Sequence, residues 1–303
     1  MTALWPPRAG AIGVVGAGAV GQTVATALVA AGWCDRVLIT SRSPARVSAL
    51  ITDLEDMGTV TASPVRATAA ATKDLAECQA IVICPRETFT NTAATDVRMA
   101  GISANAPVIA ALAECLAGYA GVVVMVTNPV DILTRLFAET SGCRRVYGVG
   151  SNTDTARYRL TLARLLGVPP TAVDGHVIGE HGDDAVICAS ATTINGKPAA
   201  IPVEQVRKEL TDRPQRINAG IGRTRSGPAG AVLATLRKTL GLQDGIEELS
   251  VNHDGNWYGI PLHFTAATPT VCLPQLSTGE ARQLAAAARK LHTAYRHLTG
   301  GPS

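Results

Sequence analysis

Three stretches of this chain concentrate side chains that can move protons or bind anions. Val126-Thr127-Asn128-Pro129-Val130-Asp131 closes an apolar run. Gly150-Ser151-Asn152-Thr153-Asp154-Thr155-Ala156-Arg157-Tyr158-Arg159 opens a helix-like segment, and Gly179-Glu180-His181-Gly182-Asp183 is a polar stretch flanked by glycine. An imidazole is the side chain whose ordinary titration falls near neutral pH. A guanidinium presents a planar fork that matches a carboxylate. Asp154 and Arg157 are three residues apart and share one helix face. Taken singly, such a pair is an exposed ion pair worth roughly 0–1 kcal/mol, and His181 is a loop histidine. Their joint occurrence behind a fourth segment changes that reading.

The fourth segment is Gly16-Ala17-Gly18-Ala19-Val20-Gly21, directly after a strand-like run and at the mouth of a helix. In that position Gly16 allows a tight turn, Gly18 lets backbone approach a pyrophosphate, and Gly21 lets the helix pack close to the sheet. The free N–H groups of the helix start then face the anion. Gly16, Gly18, Ala19, Val20 and Gly21 are the expected dinucleotide contacts. An acidic residue about 20 positions beyond such a loop ordinarily accepts the ribose hydroxyls of NAD. Here the strand Val37-Leu38-Ile39 runs into Thr40-Ser41-Arg42-Ser43, with no acid. A guanidinium and hydroxyls bind a 2′-phosphate that a carboxylate would repel. NADP(H) is therefore expected in preference to NAD(H), with Ser41, Arg42 and Ser43 on the phosphate and Arg46 one turn beyond.

These groups need a scaffold, and the pattern around them supplies one. Ala11–Val15 and Val20–Ala31 read as strand and helix, followed by strand Arg36–Thr40 and helix Pro44–Met57. Apolar runs at Ala80–Cys84 and Gly121–Val126 read as strands buried on both faces, with a long helix Asp96–Leu116 between them. Continuous apolar strands alternating with helices imply a parallel sheet covered on both sides. From about residue 151 the pattern changes to helix Asp154–Leu166, short mixed strands with a hairpin-like turn at Asn195-Gly196, and a closing amphipathic helix Thr278–His297. The expected fold is α/β: a Rossmann-type doubly wound parallel sheet over residues 1–150, followed by an α+β substrate domain over 151–303.

Composition narrows the function classes. The 303 residues are 47% hydrophobic and 17% charged, enough to bury a sizeable core. The net charge of +3 is spread without a block of like charges, although Arg (22) far outnumbers Lys (5), so no nucleic-acid footprint is expected. Seven scattered cysteines with no CxxC imply neither a disulfide framework nor a zinc ribbon, and point to the reducing cytoplasm. Residues 9–33 carry no charge, but six glycines, Gln22 and two threonines interrupt them, so a buried strand, turn and helix is expected there and no membrane span. His176, Glu180 and His181 lack the spacing of an HExxH helix, so no metal is expected.

The four motifs, in order and at these separations, including the 27 residues from Asp154 to His181, resemble the lactate/malate dehydrogenase family over nearly the whole chain. The resemblance implies that His181 is the proton donor and acceptor and that Asp154 holds its imidazole in one tautomer. It implies that Arg157 binds the substrate carboxylate and that Asn128 lies near the substrate oxygen and the nicotinamide. Arg98, seven residues before Asn105, matches the loop arginine that polarises the substrate carbonyl. Thr224 resembles a substrate-pocket residue. A small 2-oxo acid and its 2-hydroxy acid would be the substrates, and a homodimer or homotetramer the assembly.

Two departures bear on the substrate. The loop Pro85-Arg86-Glu87-Thr88-Phe89-Thr90-Asn91-Thr92-Ala93-Ala94-Thr95-Asp96-Val97-Arg98 lacks glycine and is about three residues longer than the family's. In the family this loop closes over the substrate, and one position selects its side chain, Gln for lactate enzymes and Arg for malate enzymes. Counting forward from the strand puts Phe89 there, counting back from Arg98 puts Thr92, and matching the Pro-Arg pair puts Arg86. The second departure is Gly222-Arg223-Thr224-Arg225-Ser226-Gly227-Pro228, whose arginines face either solvent or a subunit neighbour, or else a second anionic group on the substrate, a carboxylate or phosphonate bound by Arg225 or Arg86. The expected activity is an NADPH-dependent reductase of a nonstandard 2-oxo acid. The alternatives are an NADP-dependent malate dehydrogenase and a catalytically silent dinucleotide-binding sensor or scaffold.

Overall fold

The computed structural model describes residues 8–90 and 96–300. The first half alternates strand and helix: β1 (Ala9–Val15), α1 (Ala19–Ala31), β2 (Cys34–Thr40), α2 (Pro44–Val60), β3 (Arg66–Ala69), β4 (Ala80–Ile83), α3 (Ile102–Cys115), β5 (Val122–Met125), α4 (Val130–Ser141) and β6 (Val146–Val149). The strands pair in parallel in the order β3-β2-β1-β4-β5-β6. The order reverses between β1 and β4, and a crevice for a ligand opens at such a switch point. Every residue of β4, β5 and β6 is buried, because helices cover both faces.

The second half continues with α5 (Ser151–Leu166), β7 (Val173–Asp174), β8 (Val177–Gly179), β9 (Ala185–Ile187), β10 (Thr193–Ile194) and β11 (Lys197–Pro198). Then follow α6 (Val203–Ile221), α7 (Ser226–Thr239), β12 (Gly245–His253), β13 (Asn256–Thr265), β14 (Thr268–Val271) and α8 (Thr278–Thr299). β12 lies antiparallel to β6, with Leu249 opposite Val149 and Ser250 opposite Gly148. β13, β8 and β9 extend this edge, so the two halves share one sheet of 11 strands. β7, β10 and β11 form a separate small sheet, and its turn has Asn195 at φ 50° and Gly196 at φ 72°, as a two-residue hairpin requires.

The fold is the expected one: mixed α/β with a parallel central sheet and a second α/β region. Several element ends shift by up to three residues, as at α5, which begins at Ser151 rather than Asp154, and α2, which runs to Val60 rather than Met57; the start of α3 shifts further. The helix expected to begin at Asp96 begins at Ile102, after a short 3-10 turn at Met99–Gly101. Asp96 has φ 49°, which a right-handed helix excludes. Residues 9–33 become β1, the glycine turn and α1 with its Gly32 cap, and no helix among the described residues is long and apolar enough to cross a membrane. The glycine turn is as tight as expected: a Cβ on Gly21 would stand 1.7 Å from the Gly16 carbonyl oxygen. Any side chain there would push α1 off the sheet and disorganise the crevice mouth.

Candidate active site

The two chemistry-bearing segments of the second half meet at the start of α5. His181 follows β8 and packs against the Gly150 backbone, where a Cβ would lie 2.4 Å from the imidazole Cγ. Glycine at 150 is therefore what lets the ring reach the first turn of the helix. His181 Nδ1 lies 2.6 Å from Asp154 Oδ2, and Arg157 Nη1 donates to Asp154 Oδ1 at 3.2 Å. All three side chains are at least nine-tenths buried. With an acceptor on Nδ1, the ring carries its proton there and leaves Nε2 to exchange with a substrate.

The electrostatics follow from burial and three cations. Burial alone would raise the Asp154 carboxyl, but His181, Arg98 and Arg157 outweigh it and hold the group at about 2. Burial and the Arg98 charge push the His181 imidazole below its usual range, against the pull of Asp154. Burial likewise lowers Arg157, with Arg98 and Arg213 adding to the effect and Asp154 opposing it. Arg98 thus acts on all three members of the cluster. Arg213, on α6, is a further cation near Arg157 that sequence reasoning missed, since nothing in α6 marks which of its arginines faces α5.

Asp131, the last residue of the first polar stretch, has a role that its motif position did not reveal. Its Oδ2 accepts the His181 backbone N–H at 2.8 Å, so α4 fixes the main chain that carries the imidazole. The carboxyl is buried, and burial raises it to about 7 despite the bonds it accepts.

Asn128 sits three residues beyond the end of β5, before a cis Asn128–Pro129 peptide. Its carbonyl oxygen accepts from Asn105 Nδ2 at 2.8 Å, and Asn105 Oδ1 accepts the Glu87 N–H at 2.9 Å. Thr127 Oγ1 donates to the Pro85 carbonyl at 2.6 Å. The loop after β4 is therefore pinned to the ends of β5 and α3. Asn128 Oδ1 is buried with no hydrogen-bond partner among the described residues. A buried acceptor in that state is costly unless a ligand satisfies it, which fits a donor on a bound nicotinamide or substrate.

The glycine loop also fits a dinucleotide. Gly18 precedes α1 with extended backbone and no side-chain cap, and its Cβ position is open for 4 Å. Ala19, Val20 and Gly21 form the first turn of α1, whose N–H groups are available to a pyrophosphate. Ser41 Oγ accepts the Ser43 N–H at 3.1 Å, and Ser43 caps α2 by accepting the Arg46 N–H at 3.4 Å. The Ser41 hydroxyl also donates a long bond to the Ser43 carbonyl oxygen at 3.4 Å, a contact that a stronger anionic acceptor can replace. A cleft lined by Thr40, Ser41, Ser48 and Thr52 opens beside them. Arg42 is ion-paired at 2.5 Å with Glu87 from the loop after β4, a partner that no spacing in the sequence announces.

The substrate-side arginines are distributed differently from one another. Arg86 stacks on Phe89 with its guanidinium 4.8 Å from the ring centroid, and Phe89 lies against Gly101 at the entry to α3. Burial and the charge of Arg223 lower the Arg86 guanidinium, which brings Arg86 and Arg223 to one region. Arg225 is exposed at the start of α7, and Thr224 between the two arginines is half-buried. Thr92, the third candidate for substrate selection, lies outside the described residues. His176, Glu180 and His181 do not converge: His176 Nδ1 lies 2.6 Å from Glu248, Glu180 bonds Lys290, and His181 bonds Asp154.

Comparison with known proteins gives matches across the chain. Residues 11–148 match the lactate/malate dehydrogenase NAD binding domain, and residues 152–291 match the lactate/malate dehydrogenase alpha/beta C-terminal domain. An L-lactate dehydrogenase of Deinococcus radiodurans is 30% identical over 264 residues, covering 83% of this chain and 85% of that protein. One from Treponema denticola is 35% identical over 188 residues, covering 61% of this chain and 58% of that protein. Among solved structures, a lactate dehydrogenase from a Medee basin deep-sea metagenome superposes with a TM-score of 0.87 at 22% identity, over 97% of this chain and 99% of that one. Cryptosporidium parvum malate dehydrogenase superposes with a TM-score of 0.87 at 23% identity, over 97% of this chain and 100% of that one. At those identities the two structures speak to the fold alone.

Proposed function

The chain belongs to the lactate/malate dehydrogenase family, and we propose that it interconverts a small 2-oxo acid and its 2-hydroxy acid, using NADP(H) in preference to NAD(H). The observation that carries this reading is the buried cluster in which Asp154 accepts from His181 at 2.6 Å and from Arg157 at 3.2 Å. It offers a proton and a carboxylate-binding fork side by side, in a place shielded from water.

The chemistry divides simply. A bound nicotinamide supplies or accepts the hydride at the substrate carbon. In the reduction, His181 gives the Nε2 proton to the carbonyl oxygen as that carbon gains the hydride, so the products are a hydroxyl and a neutral imidazole. Asp154 stabilises the charged ring beforehand and holds its tautomer. Arg157 binds the substrate carboxylate, and Arg98 stabilises the negative charge that develops on the oxygen. Asn128 orients the substrate oxygen and the nicotinamide, while Gly16, Gly18, Ala19, Val20 and Gly21 receive the pyrophosphate. Residues 1–150 act as the dinucleotide-binding part and 151–303 as the substrate-binding part of a homodimer or homotetramer.

Arg86, with Arg225 and Arg223 near the Thr224 turn, supports a substrate bearing a second anionic group. A screen with NADPH over neutral, dicarboxylic and phosphonate-bearing 2-oxo acids tests this. Strong turnover of a substrate other than oxaloacetate supports the nonstandard reading. Oxaloacetate as the best substrate makes the chain an NADP-dependent malate dehydrogenase, and NADPH binding without turnover of any member makes it a silent sensor.

A further inference from the structure

Arg98 and His181 reach the cluster from separate segments, and one side chain outside it joins those segments. Lys290 on α8 donates to the Asp96 carboxylate, to Glu180 Oε2 at 3.0 Å and to Asp184 Oδ2 at 2.8 Å. Asp96 is two residues before Arg98, and Glu180 is the residue before His181. Two backbone bonds close the arrangement: Asp96 N–H donates to Asp183 Oδ2 at 2.8 Å, and Asp184 N–H donates to Glu180 Oε2 at 3.2 Å.

The three carboxylates have oxygen atoms within 4.8 Å of one another, and Glu180 is only 2% exposed. Three like charges at that separation repel, and the cost falls on Glu180, the one of the three that is shielded from water. The Lys290 ammonium stands among them as the compensating cation. Removing it leaves Glu180 buried against two other acids, and the cheapest relief is for the exposed Asp96 segment to move away. Arg98 would move with it.

We propose that Lys290 is a positioning residue, an ammonium clamp on α8 that holds the Arg98 segment against the His181 segment. The inference rests on the catalytic reading of Arg98 and His181, but its test does not depend on turnover. Arg98 sits close enough to depress the His181 imidazole. Asp154 and Arg157 on α5 face the same ring, Asp131 on α4 holds its backbone N–H, and Glu180 adjoins it. Lys290 holds Glu180 directly and Arg98 through Asp96, so loss of Lys290 should raise the His181 titration as loss of Arg98 does, and the double variant separates the part that runs through Arg98.

The experiment follows the His181 ring by NMR titration in the full chain with NADP+ bound, its resonance assigned by the loss of signal in His181→Gln. Arg98→Ala and Lys290→Met should each move the titration to higher pH, and the double variant should move it no further than Arg98→Ala. Lys290→Arg should restore the original titration. NADP+ binding and the unfolding midpoint report whether each variant stays folded. With any active 2-oxo acid, Lys290→Met should lower kcat about tenfold or more, short of the ~100- to 1000-fold lost when a transition-state donor is removed outright. An unshifted His181 in Lys290→Met, or shifts that add in the double variant, overturns the clamp. A shift without any 2-oxo acid turnover leaves the clamp standing and removes the catalytic reading.

Discussion

The Glu87 carboxylate lies 2.5 Å from the Arg42 guanidinium, so a loop from beyond β4 holds the arginine two residues past the end of β2. Arg42 is mostly exposed and Glu87 half-buried, and a pair of that kind contributes at most about 1 kcal/mol. On the proposed NADP(H) reading, a dianionic 2′-phosphate would compete with Glu87 for Arg42 on favourable terms.

Glu87→Gln should tighten NADPH binding by up to about fivefold and leave NADH binding unchanged, the scale expected for an exposed pair. Arg42→Ala should weaken NADPH about tenfold to a hundredfold through the lost charge-assisted bonds, and Ser41→Asp should shift preference to NADH. Fluorescence titration with both dinucleotides checks all three. Equal responses to NADPH and NADH would remove the phosphate assignment.

His181→Gln should lower turnover about 100- to 10,000-fold with NADPH affinity preserved, as expected for loss of a general acid. Asp154→Asn acts through the ring instead. Asp154 raises the imidazole, so its neutral replacement should lower the titration further. The reduction, which needs the protonated ring, should fail at lower pH than in the unaltered protein, and the oxidation, which needs the neutral ring, should persist to lower pH. Rate profiles in both directions read the sign.

Arg157→Lys keeps a positive charge beside Asp154 but loses the planar fork. The KM for the 2-oxo acid should rise about tenfold or more while the dinucleotide dissociation constant holds. A rise in the dinucleotide constant instead would place Arg157 on the cofactor side.

Asp131 has a stability signature. Its folded carboxyl is raised from 3.8 to about 7, so its charged form is disfavoured in the folded state. The stability it contributes is present below about 4 and is lost as pH rises through about 7. Asp131→Asn keeps an acceptor for the His181 N–H and cannot ionise. Urea unfolding from pH 4 to pH 8 should show a flatter stability profile for the variant than for the unaltered protein.

What the sequence made legible was governed by short-range rules. Gly16 and Gly21 are needed by local backbone geometry, and the apolar runs of β4 and β5 by burial on both faces, so each could be read in place. Asp154 and Arg157 lie on one helix face by periodicity alone. His181, 27 residues away, needed the family resemblance to join them. Long-range pairings escaped. Glu87 finds Arg42 only because Asn105 and Thr127 pin its loop, and Lys290 finds Asp96 across 194 positions of chain. The helix start at Ile102 was misplaced because the positive φ of Asp96 leaves no mark in residue type.

The pairing of β6 with β12 has a consequence for any attempt to take the protein apart. Cutting the chain near residue 150 would strip β6, buried along its whole length, of its antiparallel neighbour and turn it into a bare apolar margin. An amino-terminal fragment would carry that margin as an adhesive seam, prone to annealing with its own kind, and the nucleotide crevice would be isolable only with a substitute strand in place of β12.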